Sequence, residues 1–311
     1  MKKKIFKIVL VNIALILFFV FVVETYIYNV EVKYIKHPFY LPNYSFKDCI
    51  DSAENYSRNF FHTEYKKPPL WIMGCSYAWG YLLEAKESFP EKLSTYTKRP
   101  VYNWAFCGIG PAEVLIRLFT DKNDKFLPQE PPEYVIYVYM YNHVNRYPNN
   151  DNLLYALKEL NVIEGKNTIF DKLFFIQAIK QRIFNKNIVS GHDSAEKHKQ
   201  FMKKIFFALK DEVHKKFPET KFVILLYNDT DNDLKDGHES MVDFAYETLN
   251  SEKYWEEYEK NGFIVISTKE LIGREMNLLQ DRIPNDTAET PHPTAEVWDK
   301  IIPELQKKLN L

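Results

Sequence analysis

Leu70-Trp71-Ile72-Met73-Gly74-Cys75-Ser76-Tyr77-Ala78-Trp79-Gly80 is the stretch on which the reading of this chain turns. Four apolar residues run into a glycine, so Leu70 to Met73 predicts a short strand followed by a turn and then a helix. Such a turn holds a hydroxyl at the carboxyl edge of a sheet, beside the backbone N–H groups that open the helix. Ser76 stands there. A serine hydroxyl is a poor nucleophile until a neighbouring base takes its proton, and the usual base is an imidazole oriented by a carboxylate. Far along the chain, Glu289-Thr290-Pro291-His292-Pro293 offers both from one loop. Ser76 and His292 therefore point to acyl-transfer chemistry. Glu289 is the first candidate for the orienting acid, and Asp286 is its rival.

Outward from this segment, strands and helices alternate. Phe89 to Thr97 reads as a helix, Val101 to Ala105 as a second strand, and Pro111 to Phe119 as a helix with proline at its start. Tyr134 to Tyr139 is an unbroken apolar and aromatic run, typical of a strand covered on both faces. Lys221 to Tyr227 and Phe263 to Ile266 give a fourth and a fifth strand, and Thr294 to Leu309 a last helix. Residues 152–216 read as a helical insertion covering one side of the domain, with amphipathic stretches at Phe170 to Ile183 and His198 to Phe217. The pattern predicts an α/β fold of three layers, α/β/α, around a parallel sheet.

The N-terminus predicts a membrane segment. Lys2, Lys3, Lys4 and Lys7 precede an apolar run interrupted only by Asn12. From Ile5 to Val23 a helix spans roughly 28 Å at about 1.5 Å per residue, close to one hydrocarbon core. Glu24-Thr25-Tyr26 follows and offers no small-residue cleavage site. The expectation is a single transmembrane signal anchor, residues 5–24, with residues 1–4 cytoplasmic because lysines mark that side. A stalk or cap then covers 25–66, and an extracytoplasmic domain covers 67–311.

Composition narrows the partners. The chain is 46% hydrophobic and 27% charged, which suits a folded body. A net charge of -1 gives no basic surface for nucleic acid. Cys49, Cys75 and Cys107 lack zinc spacing, and buried thiols are preferred over a Cys75–Cys107 disulfide. Asp229, Asp231 and Asp233 alternate as in a calcium loop, but Leu234 stands where such a loop needs glycine. No metal or other cofactor is expected.

Two further segments belong to the chemistry. Asn103-Trp104-Ala105-Phe106-Cys107-Gly108-Ile109-Gly110 carries glycines where backbone can approach a ligand, and Tyr141-Asn142-His143 puts a carboxamide just past the third strand. In a parallel sheet these ends face one crevice with Ser76. The ordered set resembles the SGNH (GDSL) hydrolase family. Gly74-Cys75-Ser76 with Gly80 matches its first block, Gly108 five residues after Asn103 the second, Asn142 the third, and Glu289 with His292 the last. The likeness runs from about Leu70 to Leu309. Cys75 stands where the family has aspartate, Met140 and His143 replace the glycine and aspartate flanking its asparagine, and Glu289 is longer than its usual acid.

What the resemblance implies is a flavodoxin-like arrangement and a serine esterase. Ser76 is its nucleophile, His292 its base and Glu289 its acid, with Gly108 and Asn142 in the oxyanion hole. Its substrate is an acylated small molecule or polysaccharide, expected to be an O-acyl (acetyl) group on an envelope or secreted glycan. The alternatives are an O-acyltransferase working through the same intermediate and a non-catalytic glycan-binding or scaffold protein. Trp79, Trp104 and Tyr141 flank the site, as sugar platforms or as core. His143 reads as a pocket wall rather than a catalyst.

Overall fold

The computed structural model describes residues 64–120, 130–145, 195–230, 247–277, 280–284, 286 and 292–311, with residues 12, 15, 18, 19, 22, 157, 162 and 245 singly. The chain divides into two units, Met1–Asn43 with Pro148–His192, and Tyr44–Tyr147 with Asp193–Leu311. In the first unit Asn12, Leu15, Phe18, Phe19 and Val22 are helical and exposed. The other residues of the expected anchor, and nearly all of the stalk, lie outside the described residues. Among those described, no helix is long and apolar enough to cross a membrane.

The second unit is built on a parallel sheet of β1 (Leu70–Gly74), β2 (Val101–Asn103), β3 (Tyr134–Met140), β4 (Lys221–Tyr227) and β6 (Phe263–Ser267), in the order β2-β1-β3-β4-β6. A two-residue parallel pair, β5 (Asp229–Thr230) with β7 (Met276–Asn277), lies apart from it. Every residue of β3 is buried, as its unbroken apolar run requires of a central strand. Seven helices are described: α1 (Ser76–Trp79), α2 (Phe89–Thr97), α3 (Pro111–Thr120), α4 (Ala195–Lys216), α5 (Glu252–Lys260), α6 (Thr268–Ile272) and α7 (Ala295–Leu309).

Alternation along β3 sorts the layers, because successive side chains point to opposite faces. Tyr137 and Tyr139 meet Phe206 of α4, and Tyr139 also meets Trp255 of α5 at 5.0 Å. Tyr134 points the other way, and its hydroxyl donates to the Leu309 carbonyl of α7 at 2.9 Å. On that face Trp298 of α7 packs on Phe89 of α2 at 4.6 Å and on Tyr227 of β4 at 5.7 Å. The expected three layers with a parallel sheet are present.

The insertion needs a new boundary. α4 falls inside the 152–216 segment, yet it buries Phe201, Met202, Ile205, Phe206, Leu209 and Val213, and it leads into β4. It is the crossover helix between β3 and β4, as a parallel pair requires. Phe170 to Ile183 lies outside the described residues.

Candidate active site

The strand order reverses at β1, whose neighbours β2 and β3 carry the chain away in opposite directions across the sheet. A crevice opens at the carboxyl ends of the strands at such a switch point. Gly74 ends β1 there with φ of 142°, and a Cβ on it would stand 3.0 Å from the Val138 carbonyl and 3.1 Å from the Ala78 Cβ. Only glycine lets the chain turn this closely against β3. Cys75 follows, buried, its thiol donating to Met140 Sδ at 3.5 Å, and Ser76 opens α1. Cys75 fills apolar space in place of the aspartate of the family it resembles. Neither Cys75, which is buried, nor Cys107, which is half-buried, is in a disulfide, and Cys49 lies outside the described residues.

His292 Nε2 lies 2.8 Å from Ser76 Oγ, and His292 Nδ1 lies 2.7 Å from Asp286 Oδ2. The Asp286 side chain is 2% exposed and the His292 side chain 7%. A carboxylate only accepts, so Nδ1 carries the ring proton and Nε2 presents its lone pair to the serine hydroxyl. Ser76 remains half-buried.

The carboxylate on the imidazole is thus Asp286, the rival to Glu289. Glu289 itself lies outside the described residues. The reason is the path of the loop. Arg282 and Pro293 form an antiparallel bridge, Ile283 N–H donates to the His292 carbonyl at 2.9 Å, and Thr294 N–H donates to the Asp281 carbonyl at 2.9 Å. These bonds fold residues 281–283 back against 292–294, so a residue six positions upstream faces the histidine. Asp286 Oδ2 also accepts the His292 backbone N–H at 2.7 Å, fixing the residue as well as the ring.

Asp281 braces the same loop from below. It takes two bonds from the Arg274 guanidinium, at 2.6 and 2.9 Å, and one from the Asn277 N–H at 2.8 Å. Burial pushes its carboxyl up, but Arg274, the Asn277 N–H and Lys300 together outweigh burial and hold it below the usual value.

The other expected site residues follow the carboxyl ends of β2 and β3. Past β2, Trp104 N–H donates to the Ile72 carbonyl at 2.7 Å and Phe106 N–H to the Gly74 carbonyl at 3.1 Å. The chain therefore runs beside β1 to its end, and Gly108 follows two residues later with φ of 74°. Asn103 Oδ1 accepts the Ala105 N–H at 3.0 Å, and Glu113 reaches back from α3 to the Gly110 N–H at 3.0 Å, which fixes the loop on both sides. Asn142 is half-buried in the 3₁₀ turn Tyr141–Asn145 that follows β3. His143 Nδ1 accepts the Met140 N–H at 3.3 Å in that turn, and its ring packs on Tyr137 and Tyr139. His143 is fully buried, so it is core and not a pocket wall.

Trp79, Trp104 and Tyr141 are 6%, 7% and 4% exposed, which makes them packing residues. The aromatic neighbours of His292 are Tyr77 and Tyr81, with ring centroids at 5.4 and 4.8 Å. The sequence reading passed over both. Their spacing, one and five residues after Ser76 on one short helix and its exit, was the signal. Among the described residues, no group of three His, Cys, Asp or Glu side chains is placed to hold a metal ion. Asp229 lies in β5, and Asp231 and Asp233 lie outside the described residues.

No protein-family model matches this chain, and no curated protein sequence does. Among solved structures the chain is similar to a member of the lipolytic protein G-D-S-L family from Veillonella parvula, with 12% identity and a TM-score of 0.45 over 78% of this chain and 99% of that one. It is also similar to phospholipase A1 from Streptomyces albidoflavus, with 13% identity and a TM-score of 0.44 over 78% and 100%. A third similar structure is a carbohydrate esterase whose active site is described as having divergent catalytic and non-catalytic binding functions, with 10% identity and a TM-score of 0.43 over 79% and 65%.

Proposed function

We propose that the protein is a serine esterase of the SGNH type in which Ser76, His292 and Asp286 act as nucleophile, base and orienting acid. The observation that carries this reading is the unbroken chain of short hydrogen bonds from the half-buried Ser76 hydroxyl to a buried carboxylate. Ser76 Oγ attacks the ester carbonyl carbon while His292 Nε2 takes the hydroxyl proton. Negative charge gathers on the carbonyl oxygen, and in this proposal the Ser76 and Gly108 N–H groups and the Asn142 carboxamide are its donors. The C–O bond to the alcohol then breaks, and His292 returns the proton to the departing oxygen. Water, deprotonated by the same imidazole, attacks the acyl-enzyme and releases the carboxylic acid and free Ser76.

The substrate in this proposal is an O-acyl, acetyl-bearing glycan outside the cytoplasm, reached from a membrane tether. Support for the tether comes from Leu15, Phe18, Phe19 and Val22, helical residues between 44% and 66% exposed. Exposed apolar side chains of that kind suit lipid better than water.

The test is chemical. Full-length protein in detergent is treated with a fluorophosphonate, and intact mass with peptide mapping locates the adduct. Labelling at Ser76 that disappears in a folded Ser76→Ala variant, along with turnover of acetyl esters, is expected. Full ester turnover by that variant sinks the serine mechanism. Parallel reactions with and without a glycan acceptor separate hydrolysis from acyl transfer.

A further inference from the structure

We propose that the turn Gly80–Leu83 is the subsite for the alcohol half of the ester, with Tyr81 and Leu82 receiving the apolar face of a pyranose ring. This rests on the esterase reading above and adds which residues choose the leaving group. In that mechanism His292 Nε2 returns a proton to the departing oxygen, so the alcohol portion must lie against the imidazole. Among the described residues, the aromatic rings found against the imidazole are those of Tyr77, which is 1% exposed, and Tyr81, which is half-buried. Tyr81 is thus the aromatic ring at the histidine with surface to offer a ligand.

The next residue shows a conformational cost. Leu83 N–H donates to the Gly80 carbonyl at 3.2 Å, which closes a four-residue turn with Leu82 at its third position. Leu82 has φ of 62°. A third position with positive φ favours glycine, and a branched apolar side chain there is strained. The other two described non-glycine residues with positive φ, Lys98 and Asn310, are helix C-caps, where that conformation ends the helix. Helix α1 is already capped by Gly80, so Leu82 has no such role.

Leu82 is also 52% exposed, and among the described residues of its unit only it and Tyr96 of α2 expose a large apolar side chain. Strain that no helix cap explains, coupled to an apolar side chain held out to solvent one residue after the tyrosine that packs on His292, points to a ligand contact. An aromatic ring and an aliphatic side chain on consecutive residues of one turn suit the C–H face of a sugar. The tryptophans expected for that task are buried.

The test compares two acetyl esters that differ only in the alcohol, methyl 6-O-acetylglucopyranoside and ethyl acetate, on full-length protein in detergent. Leu82→Gly relieves the strain and removes the contact, and Leu82→Asn removes the contact with a residue that tolerates positive φ. Both variants are expected to lower the ratio of kcat/KM, sugar ester over ethyl ester, by about 3–10-fold, mainly through KM. Leu82→Gly is expected to raise the Tm at the same time. A ratio within twofold of the parent in both variants overturns the subsite. An equal loss on both esters with a lowered Tm also overturns it, because Leu82 is then a structural residue. Absence of turnover of either ester by the parent overturns the esterase reading itself, and the two failures are therefore distinct.

Discussion

Replacing Asp286 by asparagine is the sharpest probe of the site, because the substitution keeps size and shape while removing one charge. Asp286 Oδ2 accepts both the His292 backbone N–H and Nδ1–H, each at 2.7 Å. If the new amide presents its oxygen, the tautomer survives but the imidazolium formed in the reaction loses its counter-charge. At about 4 Å between charge centres and an effective dielectric near 20, that attraction is roughly 4 kcal/mol, or about 10³ in rate. If the amide presents its NH₂ group, Nδ1 must accept and the proton moves to Nε2. The base is then blocked, and a loss near 10⁴ follows. Asp286→Asn should therefore lower kcat on an acetyl ester by about 10³–10⁴-fold and slow fluorophosphonate labelling of Ser76 in parallel. Glu289→Gln should stay within about threefold of the parent, since Nδ1 already has its carboxylate. Thermal unfolding of both variants controls for damage to the loop. A hundredfold loss in Glu289→Gln, with Asp286→Asn within tenfold of the parent, would refute the assignment and leave Asp286 as a loop brace.

Two further outcomes are expected. Asn142→Ala should lower kcat by about 10²–10³-fold with KM little changed, because an oxyanion donor acts chiefly as charge develops; normal turnover with a lowered Tm would make Asn142 a strand-end cap instead. Asp281 has a folded carboxyl held below its ordinary value, so its contribution to stability is present above the unfolded pKa and lost as pH falls through the folded one. Urea unfolding across pH 2–7 should show the parent losing its advantage over Asp281→Asn at the acid end, and an equal gap at every pH would remove the ion pair with Arg274 from the loop's stability.

Much of the sheet was legible because burial on both faces leaves little choice of residue. Lys221–Tyr227 has the predicted bounds, and β3 exceeds its prediction by one residue. Phe89–Thr97 was legible for a different reason, a proline in its first turn and a clear apolar stripe. Helix α5 went unread. It buries only Trp255 and Tyr258 among nine residues, so its stripe is too narrow to register against six acidic and basic neighbours of the ordinary surface kind. Helix α4 was read as a helix but assigned to an insertion, because amphipathicity tells how a helix is covered and not which strand it serves. That its partners are Tyr137 and Tyr139 of β3 is a tertiary fact.

The site divides along the same line. Ser76 and His292 were legible as residue types in a recognisable order, and the sheet brings them within 2.8 Å across 216 positions of chain. For the acid, nearness in sequence put Glu289 first, whereas the carboxylate bonded to the ring is that of its rival, Asp286. Glu289 is three residues from His292 and Asp286 is six, which favours glutamate on any picture of an extended loop. An antiparallel bridge pairs Arg282 with Pro293, and the fourth residue after Arg282 is the one bonded to the ring. Asp281 makes the turn persist: buried with Arg274, Asn277 and Lys300 around it, it ties the near arm of the loop to β7. A carboxylate that orients a catalytic imidazole must itself be held within about 0.5 Å of its place. Here that holding is done by a second aspartate five residues earlier, whose partners no local pattern in the sequence connects to the histidine.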